Sequence, residues 1–110
     1  MTYSITFSPG VEALILDQAL HLRSEGAGEA VVLGWLTGLY GLLETLRDYP
    51  RLYPKAELVS SSIGYEVRRL NHGAYAAFYR VHDDRRAVEV VDFRHGRRRP
   101  LGEDPETDDG

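Results

Sequence analysis

The sequence predicts an α+β domain in which two N-terminal helices pack on one face of a mainly antiparallel sheet. Apolar side chains recur at helical spacing over residues 9–23 and 29–47, whereas residues 65–93 contain three runs with strand-like alternation. Short turns separate these three runs, so neighbouring strands should pair in antiparallel fashion. With a further short strand at residues 3–7, the predicted order is β-α-α-β-β-β.

The first two predicted elements are a strand and a helix. Residues 3–7 (YSITF) alternate with a period of two, which is typical of a strand. Ser8 and Pro9 then indicate a helix start, because serine can cap free amides and proline fits the first helical position. The first helix is predicted over residues 9–23, and the glycines within residues 25–28 end it.

The second helix, over residues 29–47, has the most regular apolar spacing in the chain. Pro50 limits it, because the residue before a proline is pushed out of the helical region. Gly34, Gly38 and Gly41 weaken the helix intrinsically. Their spacing either allows close approach of the first helix or is accidental.

The C-terminal half is predicted to form three strands that follow an irregular segment. Residues 51–63, with a proline and three consecutive serines, look like a loop with at most a short edge segment. Each turn between the strands is short enough for a hairpin. The strands are predicted over residues 65–70, 75–81 and 87–93, and the turns over residues 71–73 and 83–86.

The domain is predicted to span residues 1–100, followed by an acidic tail at residues 101–110. The tail has five acidic residues and little to pack, so it should be disordered. It either folds back onto the preceding basic residues or is a passive terminus.

Charge is distributed unevenly along the chain, although the formal net charge is only −4. Residues 64–99 hold nine of the 13 cationic residues, all of them arginine, against five of the 17 acidic ones. This asymmetry favours a phosphate-bearing or acidic partner, since the arginine fork fits both phosphate and carboxylate. The alternatives are a solvated basic face and the arginine-rich composition of a GC-rich genome.

Composition argues against several classes of protein. There is no cysteine, so disulfide frameworks and thiol catalysis are excluded, as suits a cytoplasmic protein. The four histidines lack ligand spacing, so neither a metal nor a cofactor is expected. The N-terminus does not resemble a signal peptide, so export is not expected. The longest uncharged run, residues 30–43, is too short to cross a membrane.

Three tyrosines and one histidine have alternative interpretations. Tyr65, Tyr75 and Tyr79 could stack on nucleic-acid bases. Alternatively, Tyr75 and Tyr79, four residues apart on one strand, share a face and pack beneath the helices. His95 is either a candidate acid or base, given its ordinary pKa near neutrality, or a solvated loop residue.

Four segments together resemble the RelE/ParE superfamily of type II toxin–antitoxin toxins, over about residues 3–99. The resemblance implies the α+β fold predicted above. The segments are Leu46 with residues 48–50 (DYP), residues 64–70 (GYEVRRL), residues 73–81 (GAYAAFYRV) and residues 88–98 (VEVVDFRHGRR).

The resemblance implies one of two activities. RelE-like toxins are ribonucleases that cleave messenger RNA in the ribosomal A site, and ParE-like toxins act on DNA gyrase. Arg68, Arg94, His95 and Arg97 fall where the ribonuclease branch has basic residues. Three departures favour the ParE-like branch: Glu66 replaces a typical lysine, Ala76 replaces a catalytic arginine, and no tyrosine follows Tyr79.

The sequence therefore predicts a toxin that acts by binding and is neutralised by a cognate antitoxin. The alternatives are a ribosome-dependent messenger RNA endoribonuclease, for which Arg68, Arg94, His95 and Arg97 would be catalytic, and a non-toxic binding module. The possible targets are DNA gyrase or the ribosome with its messenger RNA, and no membrane partner is expected. Seven residues are predicted to bind the target or antitoxin, from the basic strands or from the loop after the last strand. They are Arg68, Arg69, Arg80, Arg94, His95, Arg97 and Arg98.

Overall fold

The computed structural model describes residues 2–96, in which three helices lie against a four-stranded sheet. The predicted tail lies outside this range. The elements are β1 (Ser4–Phe7), α1 (Val11–Ser24), α2 (Glu29–Thr45), α3 (Glu57–Ile63), β2 (Arg68–His72), β3 (Tyr75–His82) and β4 (Ala87–His95).

The sheet has the strand order β1-β4-β3-β2. β4 pairs antiparallel with β3, and β3 pairs antiparallel with β2. β1 pairs parallel with β4, as the long connection through α1, α2 and α3 between the first strand and the hairpins allows. The predicted α+β class with a mainly antiparallel sheet is confirmed, and the observed order gains one helix, α3.

The start of α1 differs from the prediction. Its N-cap is Gly10, which adopts a left-handed conformation with φ of 87° that suits glycine, and the helix begins at Val11. Ser8 does not cap the helix, because its hydroxyl donates a hydrogen bond of 2.6 Å to the Glu89 carboxylate on β4. The predicted end was accurate to one residue, since α1 ends at Ser24.

α2 begins at Glu29, as predicted, and ends two residues early at Thr45. Its glycines do not approach α1. A Cβ atom at Gly38 would lie 3.0 Å from the imidazole of His72 on β2, whereas Gly34 and Gly41 have open space. Only Gly38 therefore marks a close approach, and the neighbour is the sheet.

The prediction of a loop over residues 51–63 was wrong, because α3 forms within it. The helix buries Val59 and Ser60 and ends at Gly64, which has φ of 85° in the left-handed region. The Ser60 hydroxyl accepts a 2.9 Å hydrogen bond from the Val67 amide and donates to the Val67 carbonyl. A tertiary hydrogen bond thus compensates for the weak helix propensity of the serine run.

The sheet has a core on each face. The larger core lies beneath α1 and α2 and includes Tyr75 and Tyr79, so the prediction that they share a face under the helices is confirmed. The smaller core lies beneath α3 on the opposite face and includes Val67 and Phe78. The predicted two helices on one face are therefore present, and α3 covers part of the other face.

A β-bulge in β4 shifts the alternation of its side chains. Phe78 pairs with Asp92 while Tyr79 pairs with Val90, so Val91 is the extra residue. As a result Val90 and Phe93, three residues apart, both belong to the larger core, and Val91 contacts the smaller one.

Strand boundaries also shift relative to the prediction. β2 begins three residues late, at Arg68, and extends through His72, so the first hairpin turn is residues 73–74. β4 extends through Arg94 and His95, which were predicted to belong to a basic loop. The turn predicted at residues 83–86 is confirmed.

Candidate functional site

Three of the predicted binding residues share the sheet face that points away from α1 and α2. Side chains alternate across a strand, so sequence neighbours face opposite ways. The residues next to them, Leu70, Tyr79 and Phe93, belong to the core beneath α1 and α2. We call the surface formed by the three the arginine face; its residues are Arg69, Arg80 and Arg94.

The other predicted binding residues do not join the arginine face. Arg68 lies on the α1 and α2 side, where it donates a 2.8 Å hydrogen bond to the Tyr53 carbonyl. His95 also lies on that side, with its ring in edge contact with the Tyr75 ring at 5.0 Å between centroids. Arg97 and Arg98 lie outside the described residues. The sequence pattern therefore combined two surfaces into one.

Aromatic rings hold two guanidinium groups of the arginine face in place. The Arg80 guanidinium lies 4.0 Å from the centroid of the Tyr65 ring, and that of Arg69 lies 5.5 Å from the centroid of Phe78. Arg69 also donates a 2.9 Å hydrogen bond to the side-chain carbonyl of Asn71. Such contacts fix the cations without neutralising them.

The third arginine of this face is neutralised within the chain. Arg94 donates from Nε to Asp92 Oδ2 at 2.6 Å, and the two side chains are 37% and 19% exposed. Across the sheet Arg94 pairs with Ala76, a small residue that leaves its guanidinium accessible. The arginine face is thus net positive, with Asp92 and Glu89, the cross-strand partner of Arg80, as its counter-charges.

A cleft of about 200 Å³ lies where β3 continues beyond the first residue of β2. It is open to solvent and adjoins the arginine face through Arg80. We call it the arginine cleft; its lining residues are Arg51, Tyr65, Glu66, Arg68, Tyr79, Arg80 and Val81.

Arg68 is the most constrained cation of the arginine cleft. One terminal nitrogen donates to the Tyr53 carbonyl, and the other lies 2.9 Å from Glu66 Oε2. Its Nε is buried and has no hydrogen-bond partner among residues 2–96. Below it, burial raises the pKa of the Tyr79 phenol, whose oxygen accepts a hydrogen bond from the Tyr53 amide at 3.3 Å. The phenol is therefore neutral at physiological pH.

Arg51 lines the same cleft, although no pattern in the sequence indicates this position. It donates two hydrogen bonds, of 3.1 and 2.6 Å, to Asp83, which lies 32 residues later in the turn between β3 and β4. Tyr3 also donates to Asp83, at 2.7 Å. Hydrogen bonds from Arg51 and then from Tyr3 hold the pKa of Asp83 below its ordinary value. This pairing positions Arg51 at the rim of the cleft.

His95 lines a second cleft, of about 310 Å³, on the α1 side of the sheet. His21 and Asp17, one helical turn apart on α1, line it as well. At its base the Tyr75 hydroxyl donates a 2.6 Å hydrogen bond to the side-chain carbonyl of Gln18. The spacing of Asp17 and His21 was the only sequence signal for this cleft. Among residues 2–96, no group of three or more potential ligands could hold a metal ion.

Within residues 2–96, no helix is long and apolar enough to cross a membrane. No curated protein matches the chain in sequence. A solved structure, the crystal structure of the archaeal RelE–RelB complex from Pyrococcus horikoshii OT3, is similar at a TM-score of 0.49. It has 16% sequence identity, and the match covers 90% of this chain and 100% of that chain.

The family comparison covers most of the chain, including every helix and strand described above except the first residue of β1. Residues 5–100 match the model for the ParE toxin of the type II toxin–antitoxin system, parDE. The matched segment contains the arginine face, the arginine cleft and His95. The chain belongs to the family of ParE toxins of type II toxin–antitoxin systems.

Proposed function

We propose that the protein is a cytoplasmic toxin that inhibits growth by binding a protein target such as DNA gyrase, and that a cognate antitoxin neutralises it. Family membership supports the toxin class and its antitoxin partner. The observation that carries the binding mode is the arginine face. It presents cations held by rings and amides, which suits recognition of an acidic protein surface.

The placement of the candidate nuclease residues supports binding over cleavage. Arg68 pairs with Tyr79 and Arg94 pairs with Ala76, so they are three residues apart along β3. At about 3.4 Å per residue, that separation is about 10 Å, and the two side chains point to opposite faces. Cleavage of RNA needs its acid, base and cations around a single phosphate, so this spacing argues against one catalytic site that uses both Arg68 and Arg94.

A messenger RNA endoribonuclease is the second candidate, and the arginine cleft is the observation that favours it. There Glu66 lies beside Arg68, with Arg51 and Arg80 on the same lining. A carboxylate can accept the proton of a 2′-hydroxyl, and guanidinium groups can stabilise a pentavalent phosphate. The cleft would then replace the predicted catalytic set.

Induced expression in a bacterium, with separate readouts of DNA supercoiling and transcript integrity, distinguishes these functions. Under our proposal, cells filament and induce DNA-damage signalling while transcripts stay intact. Rapid loss of transcripts would instead identify the nuclease. Unimpaired growth with soluble protein would mean that the chain is a non-toxic binding module.

A second arm of the same experiment tests the arginine face. Arg69→Gln combined with Arg80→Gln should abolish growth inhibition, whereas Arg23→Gln on α1 with Arg47→Gln in the turn after α2 removes equal charge elsewhere and should not. Equal toxicity of both double variants would exclude the arginine face from target binding.

A further inference from the structure

Arg68 has an unused hydrogen-bonding position inside the arginine cleft. A guanidinium group can bind a carboxylate side-on, with Nε and one terminal nitrogen each donating to one oxygen. In Arg68 a terminal nitrogen contacts Glu66 at 2.9 Å, while the buried Nε has no partner in the described part of the chain. A buried unpaired donor is costly, so this arrangement is not the best one available to Arg68.

Glu66 occupies the cleft through one oxygen only. Its side chain is 47% exposed, against 19% for that of Arg68, so the carboxylate can swing into solvent while the arginine cannot. The adjoining Val67 backbone is held by Ser60, which restricts movement to the Glu66 side chain. Glu66 is thus a half-exposed carboxylate beside a largely buried cation, and solvent is open to it when another carboxylate enters.

The remaining charge of the cleft favours a further anion. Arg51 is paired with Asp83, but Arg80 stacks on Tyr65 and has no carboxylate within ion-pair distance among residues 2–96. Three arginines therefore line the cleft against a single carboxylate, Glu66. Removal of Glu66 from the cleft would leave two cations facing the same space.

We propose that the arginine cleft binds a carboxylate side chain from a partner protein, and that Glu66 occupies this position until the partner displaces it. The incoming carboxylate binds Arg68 side-on through Nε and the terminal nitrogen, and its charge is shared with Arg80. The partner that we infer is the antitoxin. This identification rests on the proposed function, whereas the site itself does not.

The size of the cleft and its present occupant favour a carboxylate over a nucleotide. A volume of about 200 Å³ is below the roughly 300–1,000 Å³ typical of pockets for small molecules. It suits the end of one side chain. Glu66 itself demonstrates that a carboxylate on a protein backbone reaches Arg68 at hydrogen-bond distance.

Binding of a capped, fluorescent oligoglutamate peptide to the full-length chain at about 0.1 M salt, where the Debye length is about 10 Å, tests the proposal. Glu66→Gln removes the competing carboxylate and should tighten binding by about fivefold, the equivalent of roughly 1 kcal/mol for a partly exposed ion pair. Glu44→Gln is the matched control, because Glu44 also pairs with an arginine, Arg47, but on α2. It should change the affinity by less than about twofold, since distant charges are screened.

A second variant tests the side-on geometry. Adding Arg68→Lys to Glu66→Gln keeps the positive charge but removes the planar fork, and it should cancel the gain in affinity. Equal gains from Glu66→Gln and Glu44→Gln would overturn the proposal, as would persistence of the gain with lysine. A gain for oligouridylate as large as that for oligoglutamate would mean that the cleft takes phosphate instead. Toxicity is not measured here, so failure of this test leaves the proposed function intact.

Discussion

Ser60→Ala should destabilise the protein substantially although it removes a single oxygen atom. Ser60 is 8% exposed, and its hydroxyl accepts the Val67 amide at 2.9 Å. Val67 is fully buried, so water cannot replace the lost acceptor. The Val67 carbonyl keeps a 2.8 Å hydrogen bond from the Ala56 amide. The cost is therefore that of one orphaned buried amide, roughly 1–3 kcal/mol.

Ser61→Ala is the matched control for this prediction. Ser61 lies on the same helix, α3, but is exposed to solvent. Both substitutions gain the same intrinsic helix propensity, about 0.5 kcal/mol, so the difference between the two variants isolates the hydrogen bond. Urea unfolding should give a free energy of unfolding at least about 1 kcal/mol lower for Ser60→Ala than for Ser61→Ala, with equal slopes.

Hydrogen exchange provides an independent measurement. The Val67 amide should exchange faster in Ser60→Ala than in Ser61→Ala, because its acceptor is gone. Val67 lies between Glu66 and Arg68, so this variant should also loosen the arginine cleft. Equal unfolding free energies for the two variants would refute the view that this hydroxyl anchors α3 to the sheet.

Three further predictions concern the rest of the molecule. Gly34→Ala and Gly41→Ala should each raise the unfolding free energy by up to about 1 kcal/mol. Gly38→Ala should raise it less, because its Cβ would lie 3.0 Å from His72. Equal increases for the three variants in urea unfolding would contradict this contact. Hydrogen bonds from Ser8 and then from His82 hold the pKa of Glu89 in the folded protein below its ordinary value. The ionised carboxylate therefore stabilises the fold at any pH above the ordinary pKa, and this contribution is lost as the pH falls through the lowered pKa. Melting temperatures of Glu89→Gln should therefore fall less steeply on acidification than those of the unaltered chain, and parallel curves would argue against the linkage. Arg94→Gln should change the unfolding free energy by less than about 1 kcal/mol, because its pair with Asp92 is partly exposed, while reducing growth inhibition; full toxicity would exclude Arg94 from target binding.

The main elements could be predicted because they follow from local periodicity. The apolar spacing of residues 29–47 and the alternation of residues 75–81 each specify one conformation, and both segments fold as predicted with small changes at their ends. α3 could not be predicted in this way. Its serines have low helix propensity, and its anchor is the Val67 backbone outside the helix.

The candidate site was harder to predict than the fold because its contacts are distant in sequence. Arg51 reaches the arginine cleft through Asp83, and the sequence does not indicate that pair. His21 lies beside His95 because α1 packs over the end of β4. Local patterns identify charged residues, whereas only the fold determines which of them face the same space.

The bulge at Val91 has the largest consequence for function. Without it, residues 92 and 94 would share the face of Val88 and Val90, and Arg94 would point beneath the helices. The extra residue reverses this alternation, so that Phe93 enters the larger core and Arg94 points to the opposite face with Arg69 and Arg80. The position of Arg94 on the arginine face, and that of His95 in the cleft on the other face, both follow from this one irregularity in β4.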